Sequence, residues 1–391
     1  MKTLIAALVL FSIVRLQLST CFAQGPLSPP GAPTPTMKTL DQVEPRTPIS
    51  SLPFTIAAAG SYYLTGNLTG GASGGITIGA SGVTLDLMGF ELVGGTGDGI
   101  VVSAGRANTV ILNGTVRNWS GNGVNAFGSH SRIERLRAMG NQGSGLRVGA
   151  SSNVADCTAQ SNTLNGLEAG TSCTLRDCTT SGNLGTYGIR AGAASALNNC
   201  AAYNNETEYG ISAGDGSTLA NCTAQSNNGS LATSYGIDVG SGSTIIGCAA
   251  TDNTNDNATP TDSAIGIHAL FGTLIKGCTA RGNAGHGIRV NSDCRVLQNN
   301  CDGNPHSNIR VTGSDNRIDG NNVTDSPIGL EVISTGNLII GNSASGNTSN
   351  YEIVAGNKVG VIVDAPDSVA ISGSTGGAGV GTTNPWANFS F

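Results

Sequence analysis

His268, Arg289, Arg310 and Glu331 follow one another at equal steps of 21 residues. The set combines a group that exchanges a proton near neutral pH, two guanidinium forks that match a carboxylate, and one carboxylate of its own. Removing the proton next to a sugar carboxylate needs such equipment: a base for the proton and a cation for the charge that develops on the carboxyl group. His268 is the candidate base and Arg289 its electrostatic partner, the two candidate catalytic residues. Arg190, Asp238, Arg310 and Glu331 are candidate substrate-binding residues, because they occupy the same position of one recurring segment.

That segment is a short apolar strand. It reads "GGITIG", "SGLRVGA", "NGLEAG", "YGIRAG", "YGIDVG", "IGIHAL", "HGIRVN" and "IGLEVIS", among others, and its leading apolar residue recurs thirteen times from Ile76 to Ile353. Steps are mostly 21 to 24 residues, lengthening only before Ile237 and Ile267. A fixed period of this size marks a solenoid. Triplets such as Ile-Arg-Val alternate with period two, and Gly and Asn interrupt every few residues, so the repeating unit is a β coil rather than a helix pair. When the apolar residue points inward the next points out. The outward column then reads Asn125, Arg147, Glu168, Arg190, Ser212, Asp238, His268, Arg289, Arg310 and Glu331.

A second phase runs through each coil, as in Leu219/Cys222/Ala224 and Ile275/Cys278/Ala280. Six cysteines, from Cys157 to Cys278, share its special position, which Asn299, Asn321 and Asn342 occupy later. Stacked thiols have parallel Cβ vectors, which opposes disulfides, and no CxxC pair suggests zinc. They are expected to be buried small hydrophobes. Five residues on comes Asn, from Asn118 through Asn141, Asn162 and Asn183 to Asn347, broken only by Ser326. Asn tolerates the left-handed turn conformation, and stacked amides can bond from rung to rung.

With these motifs the chain resembles the right-handed parallel β-helix repeat proteins of the pectate-lyase-like superfamily, including the group related to the periplasmic copper-maturation protein NosD. The resemblance covers about residues 52–363, and "LPFTIAAAGSYYLTGNLTG" resembles that group's N-terminal cap. It implies a single-stranded right-handed parallel β-helix of about thirteen coils with an N-terminal cap. Lyases, hydrolases, epimerases and members without assigned chemistry share the superfamily, so the resemblance is specific for fold and weak for activity.

The bulk composition agrees with a narrow repetitive body. Of 391 residues 58 are Gly, and 4% are aromatic, too few large side chains for a spherical core of this length. Residues 1–23 read as a secretory signal peptide, with Lys2, an apolar run from Leu4 to Val14 and small residues before Gln24. Residues 24–50 are a Pro-rich linker, 51–365 the β-helix and 366–391 a Gly-rich C-terminal tail or cap. The expected location is therefore secreted, periplasmic or cell-surface. Without Lys2 and Arg15, 17 basic face 25 acidic side chains, which argues against nucleic acid as partner. No later apolar run is long enough to span a bilayer. Oligomeric state is left open.

Several readings of the column compete. Arg147, Glu168 and Arg190 alternate in sign and fit a plain ion-pair ladder. Arg289 and Arg310 would repel one another unless an anion lay between them, which favours an acidic polysaccharide as partner. Tyr187, Tyr209 and Tyr235 stand two residues before the leading apolar residue on successive coils, as a stabilising aromatic strip or a platform for sugar rings. The two long coils place loops at the same edge, where Asp252, Asp256 and Asp262 offer oxygens to Ca²⁺ at a spacing that fits no calcium loop; no metal or cofactor is expected. The set would serve a polysaccharide lyase rather than a glycoside hydrolase, which needs paired acids. The alternative is a non-catalytic structural or adhesive module.

Overall fold

Triplets such as Ile-Arg-Val make three-residue strands whose ends bury and whose middle faces water, and Gly, Asn or Asp at their borders permits the sharp corners between them. The computed structural model describes residues 44–72, 74–256, 264–364 and 382–391. All described strands lie in the unit Arg46–Phe391. The expected signal peptide and most of the expected linker lie outside the described residues.

One parallel sheet of 14 strands, from Phe54–Ile56 to Ser349–Ile353, forms the first side of every coil. A 28-stranded sheet supplies the other two sides. The molecule is a right-handed parallel β-helix of about 14 turns, with no helix among the described residues. The rung beyond the thirteen read from the sequence is Phe54–Ile56, in the segment that reads as cap. The last rung differs as well: Tyr351, not Ile353, aligns with Leu330, because Ile353 pairs two positions on with Val332.

The interior is a file of Ile, Leu and Val from two sides and mainly Ala from the third, as in Ile237, Ile245 and Ala250, all fully buried. Such a narrow core needs polar corners that satisfy themselves, and ladders provide this. Asn141, Asn162, Asn183, Asn205, Asn227, Asn253, Asn283 and Asn304 each present Nδ2 to Oδ1 of the next, at 2.8–3.2 Å. Ser326 keeps the column going by accepting the Asn304 N–H on Oγ. Asn118 does not belong to it. Arg117 pairs with Met139, so the rung above Asn141 is Trp119, whose backbone N–H donates to Asn141 Oδ1 and whose buried ring closes the column. Asn118 instead takes the left-handed conformation at φ 61°.

All nine described cysteines are free and buried. The six-thiol file passes into a file of amides: Cys278 donates its N–H to Asn299 Oδ1, and Asn299, Asn321, Asn342 and Asn388 then bond in series. The N-terminal end reaches beyond the boundary read from the sequence, and the segment expected as tail or cap supplies a strand. Thr47–Ile49, within the expected linker, pairs with Gly60–Leu64, and Asn388–Ser390 of the tail pairs with Ile362–Asp364 and with Ser343–Ser345.

Candidate functional site

The outward middle residues of the 14-stranded sheet stack in one register column: Asn125, Arg147, Glu168, Arg190, Ser212, Asp238, His268, Arg289, Arg310, Glu331 and Glu352. Glu352 extends the column beyond Glu331, because Tyr351 and not Ile353 leads the last rung.

In its upper part the column is half an ion-pair ladder. Arg147 Nε lies 3.5 Å from Glu168 Oε2, while Ser144 and Asn165 donate to Glu168 Oε1 at 2.7 and 2.8 Å. Arg190 leaves the alternation and sets its guanidinium 5.4 Å from the centre of the Tyr187 ring.

In the middle, Tyr187, Tyr209 and Tyr235 stack at 5.0 and 5.3 Å between ring centres, and the His268 ring follows at 4.9 Å. Their faces are turned on one another along the solenoid axis. Arg190 lies against one end of the file and His268 against the other. The strip therefore offers solvent edges and hydroxyls, not the open faces that a sugar platform requires. Burial, with the Asp238 charge adding to it, pushes the Tyr209 hydroxyl up to about 12. His268 Nδ1 lies 2.7 Å from Asp238 Oδ1, an arrangement that fixes the imidazole and leaves Nε2 for chemistry.

Lower down, Arg289 stands in register between His268 and Arg310. Arg310 Nε is 3.5 Å from Glu331 Oε2, and its Nη1 is 2.8 Å from Nε2 of the buried His286. The repulsion expected between the two arginines is thus moderated within the protein. Ser307 donates its N–H to His286 Nδ1 at 3.2 Å and its hydroxyl to Glu331 Oε2 at 2.5 Å. Beside them opens a hollow of about 330 Å³ lined by His286, His306, Ser307, Arg310, Pro327, Ile328 and Glu331. His306, 5.6 Å from His286 between ring centres, was not singled out from the sequence because it lies in a turn outside the repeating triplet.

The two long loops run side by side, Asn228–Gly229 pairing with Thr254–Asn255. Glu208 anchors the first by accepting the N–H groups of Ser230 and Leu231. Asp256 accepts from Asn228 Nδ2 at 2.6 Å, Asp252 takes φ 53° at a corner, and Asp262 lies outside the described residues. The candidate residues therefore form two neighbouring groups on one face: Asp238 and His268 with the tyrosine file, and Arg310 and Glu331 with two histidines, joined in the column by Arg289.

The pattern described as "Right handed beta helix region" matches residues 98–255. Among solved structures, the A-module of the mannuronan C-5 epimerase AlgE6 of Azotobacter vinelandii is similar at 16% identity, covering 77% of this chain and 89% of that one with a TM-score of 0.53. The A-module of AlgE4 from the same organism is similar at 16% identity, over 77% and 91%, with a TM-score of 0.51. No curated protein matches the chain. The continuous parallel rungs, the matched pattern and these neighbours agree, and the chain has the right-handed parallel β-helix fold.

Proposed function

We propose that this is an exported β-helix protein that binds an acidic polysaccharide along the outward face of the 14-stranded sheet, from Arg190 to Glu331, with weak lyase chemistry at Asp238 and His268. One observation carries the reading: Arg289 and Arg310 occupy adjacent rungs of one column, beside an open hollow and one rung from an oriented His–Asp pair. The rung repeat of about 4.8 Å is close to the length of one pyranose in an extended chain, so consecutive sugar carboxylates would meet consecutive guanidinium groups. The fold shared with modules of mannuronan C-5 epimerases supports a polysaccharide as the partner class.

In the reaction, Nε2 of His268 removes the proton next to a bound carboxylate while Asp238 holds Nδ1–H and Arg289 stabilises the enolate. The electron pair of that C–H bond then forms a C=C bond as the glycosidic C–O bond at the next carbon breaks, and the leaving oxygen takes a proton from water to become the hydroxyl of the released chain end. The deciding experiment measures retention on immobilised polyuronate and ultraviolet absorption by unsaturated ends. Wild type is expected to be retained and released by salt, R289Q/R310Q to pass through, and H268A to bind without forming product. Undiminished retention of R289Q/R310Q overturns the binding face; absence of product from wild type leaves a binding protein without lyase activity.

The second reading is a structural or adhesive module, favoured by the internal pairing of Arg147 with Glu168 and of Arg310 with Glu331. It predicts no retention even at low salt, and a lower melting temperature in R289Q/R310Q.

A further inference from the structure

A separate hollow of about 460 Å³ opens near the head of the column, lined by Gly105, Arg106, Phe127, Gly128, Gly149 and Gly170 among others. Phe127 stands immediately after the strand Val124–Ala126, at the position that Gly149 and Gly170 fill on the next two rungs. The residue is 61% exposed in a protein of few aromatic residues. The Arg147 guanidinium lies 5.1 Å from the ring centre. Arg106 is exposed and forms no ion pair among the described residues.

The glycines have a packing reason of their own. A Cβ at Gly128 would come within 2.1 Å of Arg106 O, and one at Gly149 within 2.4 Å of Phe127 O. Packing accounts for the bare floor but not for an aromatic residue left largely in water beside it, nor for Arg106 in the lining of the same hollow, which neutralises no carboxylate among the described residues. An exposed ring over a flat floor suits the apolar C–H face of a pyranose, and an unpaired guanidinium suits an anionic substituent on that sugar.

We propose that Phe127, Arg106 and the glycine floor form a second sugar-binding site, taking one pyranose that carries a carboxylate. The ring packs on Phe127, and Arg106 holds the carboxylate. This site stands apart from Arg289 and Arg310 and does not depend on the reading of that face.

The test titrates the full chain with a uronate trisaccharide and its neutral counterpart, following binding by calorimetry, and repeats retention on the long polyuronate. F127A is expected to weaken trisaccharide binding at least tenfold. R106Q is expected to weaken it several-fold and to abolish the preference for the acidic over the neutral sugar, while R289Q/R310Q leaves a binding event of wild-type affinity. Both residues are exposed, and matching melting curves for F127A, R106Q and wild type establish that the fold is retained. Unchanged trisaccharide affinity in F127A and R106Q overturns the proposal, and if R289Q/R310Q alone then loses the polymer, the column reading stands without it. Retention unaffected by R289Q/R310Q, together with trisaccharide binding lost in F127A, removes the column reading and leaves this site. A wild-type chain that binds neither probe refutes both.

Discussion

Cysteine at a repeated position suggests redox or metal chemistry until its surroundings are known, and here burial decides. Cys301 replaces Ala in the third-side file, between Ala280 and Val323, and burial pushes its thiol well above the ordinary range. A thiol that does not meet water cannot attack a reagent, and all nine described thiols are buried. The native protein should therefore show essentially no reaction with a thiol-specific chromogenic disulfide, while the denatured, unreduced, signal-processed chain should show nine thiols; a lower denatured count would mean disulfides. Tyr209 gives a pH prediction. Its hydroxyl holds its proton up to about 12 in the fold, against about 10 in the unfolded chain, so the native state binds the proton more tightly in that interval. Its contribution to stability is present below pH 10 and is lost as pH rises toward 12. Y209F should show a shallower alkaline loss of melting temperature than wild type, and identical alkaline profiles would contradict this.

At the level of the rung, the Asn ladder separates what the sequence specified from what it concealed. The period, the β character and the outward column were legible because each follows from alternation repeated a dozen times. Errors gathered where the repeat gives way to a cap. Asn118 has the right residue type five positions on, yet Trp119 fills the rung, since the first coils close the ladder with a ring instead of an amide. Tyr351 replaces an aliphatic leading residue because its hydroxyl reaches Phe389 O, at 2.8 Å, in the returning tail. His306 and Phe127 were missed for a related reason: they sit in corners, where periodicity carries no information about direction. The register difference is measurable. In N183A, the N–H of Asn162 loses its acceptor, at roughly 1–3 kcal/mol for a buried group left unpaired, Nδ2 of Asn162 keeps only Ala138 O, and the carbonyl of Ala159 loses the Asn183 amide. N118G keeps a residue suited to positive φ and breaks no ladder bond, so it should stay within about 0.5 kcal/mol of wild type. Unfolding in denaturant should rank them so; equal losses would return Asn118 to the ladder.

Across the whole molecule, the weak point of a solenoid is its end, where the last rung presents unpaired backbone and the core has no further coil to cover it. Val354, Val359, Val361, Ile362, Trp386 and Phe391 are all exposed near the C-terminal end, and on the neighbouring face a mainly apolar hollow of about 400 Å³ lies against Trp386. The final strand Asn388–Ser390 covers part of this end. Its Asn388 Oδ1 accepts both the N–H and Nδ2 of Asn342, closing the thiol-to-amide file that began at Cys157, and Phe389 O receives the Tyr351 hydroxyl. Removing residues 387–391 should therefore do two things at once. It uncovers the paired edges of Ser343–Ser345 and Ile362–Asp364, and it leaves the buried Asn342 N–H without its acceptor, while Nδ2 keeps Ile318 O and Ile340 O. The shortened chain is expected to melt several degrees lower and to gain mass with concentration in light scattering, as exposed edges pair between copies. N388A separates the two effects, because it removes the acceptor of the Asn342 N–H but keeps the strand: its melting temperature should fall while its mass stays that of wild type. A shortened chain with unchanged mass and melting temperature would show that the ladder ends at Asn342 and that the tail is no part of the cap.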